Sequence, residues 1–252
     1  MIFHLGIFLW SVLFFLAMQF VAAREYPTSF WTGYIFSIAT LSVISLVSAG
    51  KITKRLRNSF LPLFLSFSMP SFLLLVDSPG EKTVIAVIAA SMYYLGFLAL
   101  YRIRHAPSDG TARTFLSISM LSVLFFFYSA AFGFYLNFSV PLWSLILLFS
   151  LGSFGAAYQT LSAALPDNRR RVALYASAIA FGTAEIAFLI SFWPFGYLTA
   201  GSAMLVFFYI PWNMANSLFL GMLSRKRTVV YLFLSLILLT ILLLSASWRM
   251  QV

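Results

Sequence analysis

The chain reads as long apolar runs separated by short polar breaks. A helix needs about 20 apolar residues to cross a hydrocarbon core about 30 Å thick. Nine runs meet or approach that length: residues 2–22, 30–49, 59–76, 83–101, 114–136, 140–165, 172–192, 197–222 and 228–246. The third is the shortest and carries Pro62 and Pro70. The breaks are short, as antiparallel helical neighbours require. The pattern predicts an all-α, polytopic integral membrane protein of about nine transmembrane helices, with residues 1–252 forming one transmembrane domain.

The charged residues give this pattern a direction. Lys51, Lys54, Arg55 and Arg57 follow the second run, and Arg102, Arg104 and Arg113 follow the fourth. Arg169, Arg170 and Arg171 follow the sixth, and Arg225, Lys226 and Arg227 the eighth. All of these fall on one side of the predicted membrane. The other side holds Arg24, Lys82 and Arg249, accompanied by Glu25, Asp77 and Glu81. The positive-inside rule makes the basic side cytoplasmic, with the N-terminus inside and the C-terminus outside. Trp31, Trp143, Trp193 and Trp248 then fall at the outer ends of spans, where an interfacial belt belongs. Trp10 and Trp212 lie deeper. Val21-Ala22-Ala23 resembles a signal cleavage site, but the leading "MIFH" has no Lys or Arg, so the first run is read as a helix.

Composition agrees. The chain is 62% hydrophobic and 9% charged, with a mean hydropathy of +0.97. Soluble chains average about 45–50% apolar and about 25% charged. No hydrophilic stretch is long enough for a soluble catalytic domain. With no cysteine, disulfides and thiolate metal sites are excluded. The net charge of +10 sits in short inter-helix clusters. Such clusters suit anionic lipid headgroups rather than nucleic acid.

Glu185 is the one charged residue deep inside a long apolar run. At about 1.5 Å per residue it lies about 21 Å beyond Arg171. Gln159 lies about 15 Å before Arg169, and Asn213 and Asn216 about 18 and 13.5 Å before Arg225. These four share a middle band of spans six to eight, where they can converge on a ligand or proton site. An ionised acid at the bilayer centre costs about 2.5–3.5 kcal/mol, and such groups face a protein interior or a wet cavity. Pro211 is expected to kink the eighth helix and free the Phe207 carbonyl. Ala176, Ala180 and Ala184 recur every fourth residue, and with Gly152, Ser153, Gly155 and Ala156 they offer faces for close packing. Beside the ligand or proton site stand two plainer readings of the band: hydrogen-bonded glue between helices, and a subunit contact.

Catalytic patterns are absent. His4 and His105 match no metal-ligand spacing, and no nucleophile elbow, phosphate loop or dinucleotide fingerprint occurs. No catalytic residue, metal or cofactor is therefore assigned. A retinal Schiff base would need a mid-span lysine. Asp77 and Glu81 in "DSPGEK" form the one close acid pair, and Asp-Ser-Pro-Gly is turn chemistry.

The C-terminal third (183–249) carries an Ala184-Glu185 pair in mid-helix, Phe192, Pro194 and Phe195 after it, Tyr209 in the next helix, a basic turn, and Trp248-Arg249 near the end. In these features it resembles an uncharacterised family of polytopic membrane proteins from candidate-phyla bacteria. The resemblance implies a bacterial plasma-membrane setting and no activity.

Three functions remain. The first is a non-enzymatic membrane component that binds a lipid, hydrophobic small molecule or partner helix around spans six to eight. The second is a proton-coupled secondary transporter using Glu185. The third is a lipid-active enzyme using Asp77 and Glu81.

Overall fold

A computed structural model describes residues 2–23, 30–53, 60–106, 109–138, 140–165 and 168–245. Among them are nine helices and no strand: α1 (Ile2–Ala23), α2 (Phe30–Thr53), α3 (Phe60–Leu73), α4 (Pro79–His105), α5 (Gly110–Phe138), α6 (Leu142–Ala164), α7 (Arg169–Ile190), α8 (Tyr197–Phe219) and α9 (Arg225–Ser245). Eight are long and apolar enough to cross a membrane. The protein is a polytopic, all-α membrane protein. The chain divides into two compact units, Met1–Val123 and Leu124–Val252.

In the first unit α3 is the exception among the nine expected spans, with only 14 residues. Its hydrogen bonds show how it still returns the chain. Near the start of α2, Tyr34 bonds Ser71 near the end of α3 at 2.6 Å. Ser45, later in α2, bonds Ser66 at 2.5 Å, and Ser66 also donates to the Leu41 carbonyl at 3.1 Å. The two helices are therefore antiparallel. Ser48 bonds the Tyr93 hydroxyl of α4 at 2.6 Å, and Phe14 of α1 stacks on the Tyr93 ring at 4.4 Å. Ten of the fourteen α3 residues are buried. A helix that faces protein needs no lipid-matched length, because irregular backbone is tolerated in a membrane where protein covers it. A turn at Leu74 and Leu75 then leads to α4, with Pro79 at its first position, where a missing N–H does no harm.

Lys51 at the end of α2 and Arg102 and Arg104 at the end of α4 therefore share one end of the unit, away from Asp77 and Glu81. The Lys51 ammonium lies 5.6 Å from the centre of the Trp10 ring. Lys54, Arg55, Arg57, Arg24, Glu25 and Arg249 lie outside the described residues, as do the side chains of Trp31 and Trp248.

In the second unit, α6 and α7 share an extensive interface among the described residues. Ala176, Ala180, Ala184 and Ala187 bury one stripe of α7, and Gly152, Ser153 and Ala156 a stripe of α6. Small side chains let backbones approach, which matters where lipid tails remove the hydrophobic drive for helix association. Above this seam Tyr128 of α5 stacks on Phe149 of α6 at 4.8 Å and bonds Ser153 at 2.7 Å. Trp212 of α8 donates its indole N–H to Thr160 of α6 at 2.9 Å. Trp143 and Trp193 are exposed at the non-basic end of this unit, consistent with an interfacial belt. Helix α9 is almost wholly exposed, and its one buried side chain among the described residues is Ser235.

A close approach in this unit joins α5 and α8 at Gly201. A Cβ there would lie 2.7 Å from the Ser129 amide nitrogen and 2.8 Å from its Cα. Backbone cannot yield as a side chain can, so Gly201→Ala is expected to destabilise the fold by about 1–3 kcal/mol, the usual range for overpacking. Reversible unfolding in detergent micelles measures it. Gly182→Ala, whose Cβ meets nothing within 4 Å, is the matched control and is expected to be neutral.

Candidate functional site

The sequence at both ends of α7 and α8 sets the shape of the space between them. Asn168 caps α7 by accepting the Arg171 amide at 3.1 Å, satisfying a donor that the first helical turn leaves open. Helix α8 ends on Gly221 with φ of 66°, a left-handed position that suits glycine. There the Met222 amide reaches back to the Ser217 carbonyl at 2.9 Å and that of Gly221 to Leu218 at 3.1 Å. This reversal, a Schellman turn, turns the chain toward α9 and leaves Leu223 facing α7.

Between the helices lies an open groove of about 560 Å³. Tyr175, Gly182 and Ile186 line it from α7; Phe207, Pro211 and Leu218 line it from α8. Two local features make room. Ala178 and Gly182, one turn apart, remove side-chain bulk from α7. Pro211 removes the helical donor for the Phe207 carbonyl, although α8 continues through it. The lining is almost entirely apolar. At the basic end, the Arg171 guanidinium carbon lies 6.0 Å from the Tyr175 ring centre and 5.7 Å from that of Phe219. Those rings meet edge to face at 5.1 Å. A second lateral groove, also about 560 Å³, runs between Phe8 and Val12 of α1 and Val87 and Tyr94 of α4.

The polar residues of the middle band take different surroundings. Glu185 is exposed, on an outward stripe of α7 with Leu174, Phe181, Phe188 and Leu189. It is outside the groove lining, about 20° around the helix from Ala178 at 100° per residue. Among the described residues no hydrogen bond or ion pair reaches its carboxylate. Gln159 is buried in α6. Asn213 is half-buried and donates to the Tyr209 hydroxyl one turn back at 3.0 Å, so its bond stays within α8. Asn216 is half-buried, and Pro211 is exposed on the groove wall. No hydrogen bond joins Glu185 to any of the three amides.

Asp77 and Glu81 are both exposed and line neither groove. Glu81 sits in the first turn of α4, where a negative charge complements the helix dipole. His105 bonds the Tyr101 carbonyl at 2.9 Å and is exposed. No cluster of potential metal ligands occurs among the described residues.

The charged and amide residues give no sign of the hydroxyl bonds that join helices, Trp212 to Thr160 and Ser66 to Ser45. Binding was expected around spans six to eight, without the two helices that wall the groove. The available signal was Ala178 and Gly182, small residues on a face different from the Ala176–Ala184 packing stripe.

The pattern of one family matches residues 29–245. The chain belongs to that family, DUF5656, whose members are of unknown function. The match reaches far beyond the C-terminal third and takes in residues of both units. No curated protein and no solved structure matches the chain. Membership in DUF5656 therefore adds no ligand or reaction to what the geometry offers.

The lone exposure of Glu185 has a measurable consequence. A carboxyl that glues helices is worth roughly 0.6–2 kcal/mol to the fold. Glu185→Leu is instead expected to leave the unfolding free energy unreduced and to ease insertion of α7 by about 3 kcal/mol. A glycosylation-based insertion assay and detergent unfolding measure the two quantities.

Proposed function

We propose that the protein is a non-enzymatic component of the bacterial plasma membrane that takes a lipid or other hydrophobic molecule sideways into the α7–α8 groove. One observation carries this reading: an apolar groove of about 560 Å³ flanked by Gly182 and Pro211 and open at the side of the unit. Binding sites for small molecules are mostly apolar, concave and of about 300–1,000 Å³. This one falls in that range and lies where lipid can enter without crossing water.

No specific observation favours the two other readings. A proton-coupled transporter needs its acid in a wet cavity, and Glu185 stands outside an apolar groove. A lipid-active enzyme needs Asp77 and Glu81 at a pocket, and both are solvent-exposed.

The test uses a phospholipid carrying a photoactivatable acyl chain, incorporated with the full-length protein into nanodiscs. Cross-links are expected to concentrate on α7 and α8 residues of the groove. Gly182→Phe places a ring into space that is empty around the glycine, and is expected to cut those cross-links at least several-fold while the protein stays folded. Labelling spread evenly over lipid-facing helices such as α9, and unchanged in the variant, would contradict the proposal.

A further inference from the structure

The groove has chemistry at its basic end that an apolar slot alone would not need. Arg171 is exposed, yet its guanidinium is held over two rings, Tyr175 at 6.0 Å and Phe219 at 5.7 Å. Tyr175 is itself groove lining. Cation–aromatic contacts of this kind fix the position of a guanidinium while its N–H edge stays open. Among the described residues no carboxylate or carbonyl accepts from that edge.

A second cation stands at the same end. Arg227 donates to the Met222 carbonyl at 3.0 Å, which ties it to the turn whose next residue, Leu223, lines the groove. Arg169 and Arg170 are exposed alongside. The site is thus an apolar channel that ends at a fixed guanidinium in a basic cluster. From Tyr175 to Ile186 it extends about 16 Å along the helix, at about 1.5 Å per residue. That length takes most of an acyl chain.

We propose that the groove selects a phospholipid with an anionic headgroup, one acyl chain lying along Gly182 and Pro211 and the headgroup phosphate meeting Arg171. This rests on the groove reading above and adds the headgroup to it. Arg presents paired N–H donors that match a phosphate bidentately. Charge complementarity favours an anionic lipid over a zwitterionic one, whose own cation would face the basic cluster.

Native mass spectrometry of the full-length protein, released from mixed micelles with phosphatidylglycerol and phosphatidylcholine of identical chains, provides the test. Wild type is expected to retain phosphatidylglycerol preferentially. Arg171→Gln is expected to reduce that preference about fivefold, the effect of one cation at an anionic headgroup, with phosphatidylglycerol losing more than phosphatidylcholine. Gly182→Phe is expected to reduce retention of both lipids. Equal retention of the two lipids by wild type, or a preference unchanged in Arg171→Gln, overturns the headgroup assignment and leaves the groove reading standing. Retention that Gly182→Phe does not reduce overturns the groove reading and this one with it.

Discussion

Hydrocarbon offers no hydrogen bonds, so every polar group inside the membrane must find a partner in the protein or bear the cost of having none. Much of this structure follows from that. Backbone groups are satisfied by helices. Buried hydroxyls are satisfied mainly by one another and by carbonyls, and the bonds that cross between helices hold each unit together: Tyr34 to Ser71, Ser45 to Ser66 and Ser48 to Tyr93 in the first, Tyr128 to Ser153 and Trp212 to Thr160 in the second. Each bond is worth only about 0.6–2 kcal/mol. Their shared value is geometric, because they fix which helix faces meet. Small residues then set how closely those faces approach, as where Gly201 meets Ser129.

The same constraint gives meaning to what is left exposed. An apolar surface facing lipid is ordinary in such a protein, as α9 illustrates. A concave surface is different, because lipid must adopt a defined shape to fill it. The α7–α8 groove is concave for local reasons: glycine and alanine on one wall, proline on the other, and a Gly221 turn that brings Leu223 back to its mouth. Glu185 stands beside it as the one described acid on a lipid-facing stripe. It interrupts four large apolar side chains and joins no hydrogen bond among the described residues.

Much of the architecture was legible in the sequence because span length and charge placement are one-dimensional signals. The ends of all nine helices fall within four residues of those read from the apolar runs, and the described basic residues share one end within each unit. Helix α3, already the shortest run, departs in length alone: its 14 residues are fewer than a span needs. Its enclosure by protein relaxes the length requirement, and enclosure is not written in hydropathy. The middle polar band was legible as a set of depths but not as a site. Depth along a helix follows from residue number, whereas the direction of a side chain depends on which neighbour that helix chose. Glu185 and Gln159 have comparable depths and opposite exposures for that reason. The region of the groove, spans six to eight, was foreseen from the same band, but its walls were not, since their signal is the absence of bulk at Ala178 and Gly182.

A lipid held between α7 and α8 would be visible directly. The most direct measurement is an electron cryo-microscopy map of the full-length protein in nanodiscs of defined lipid, at a resolution that separates acyl chains from side chains. Continuous, unbranched density is expected along Gly182 and Pro211, ending in a stronger feature beside Arg171. A groove closed by direct α7–α8 contact, or filled by a helix of another protein, would contradict it.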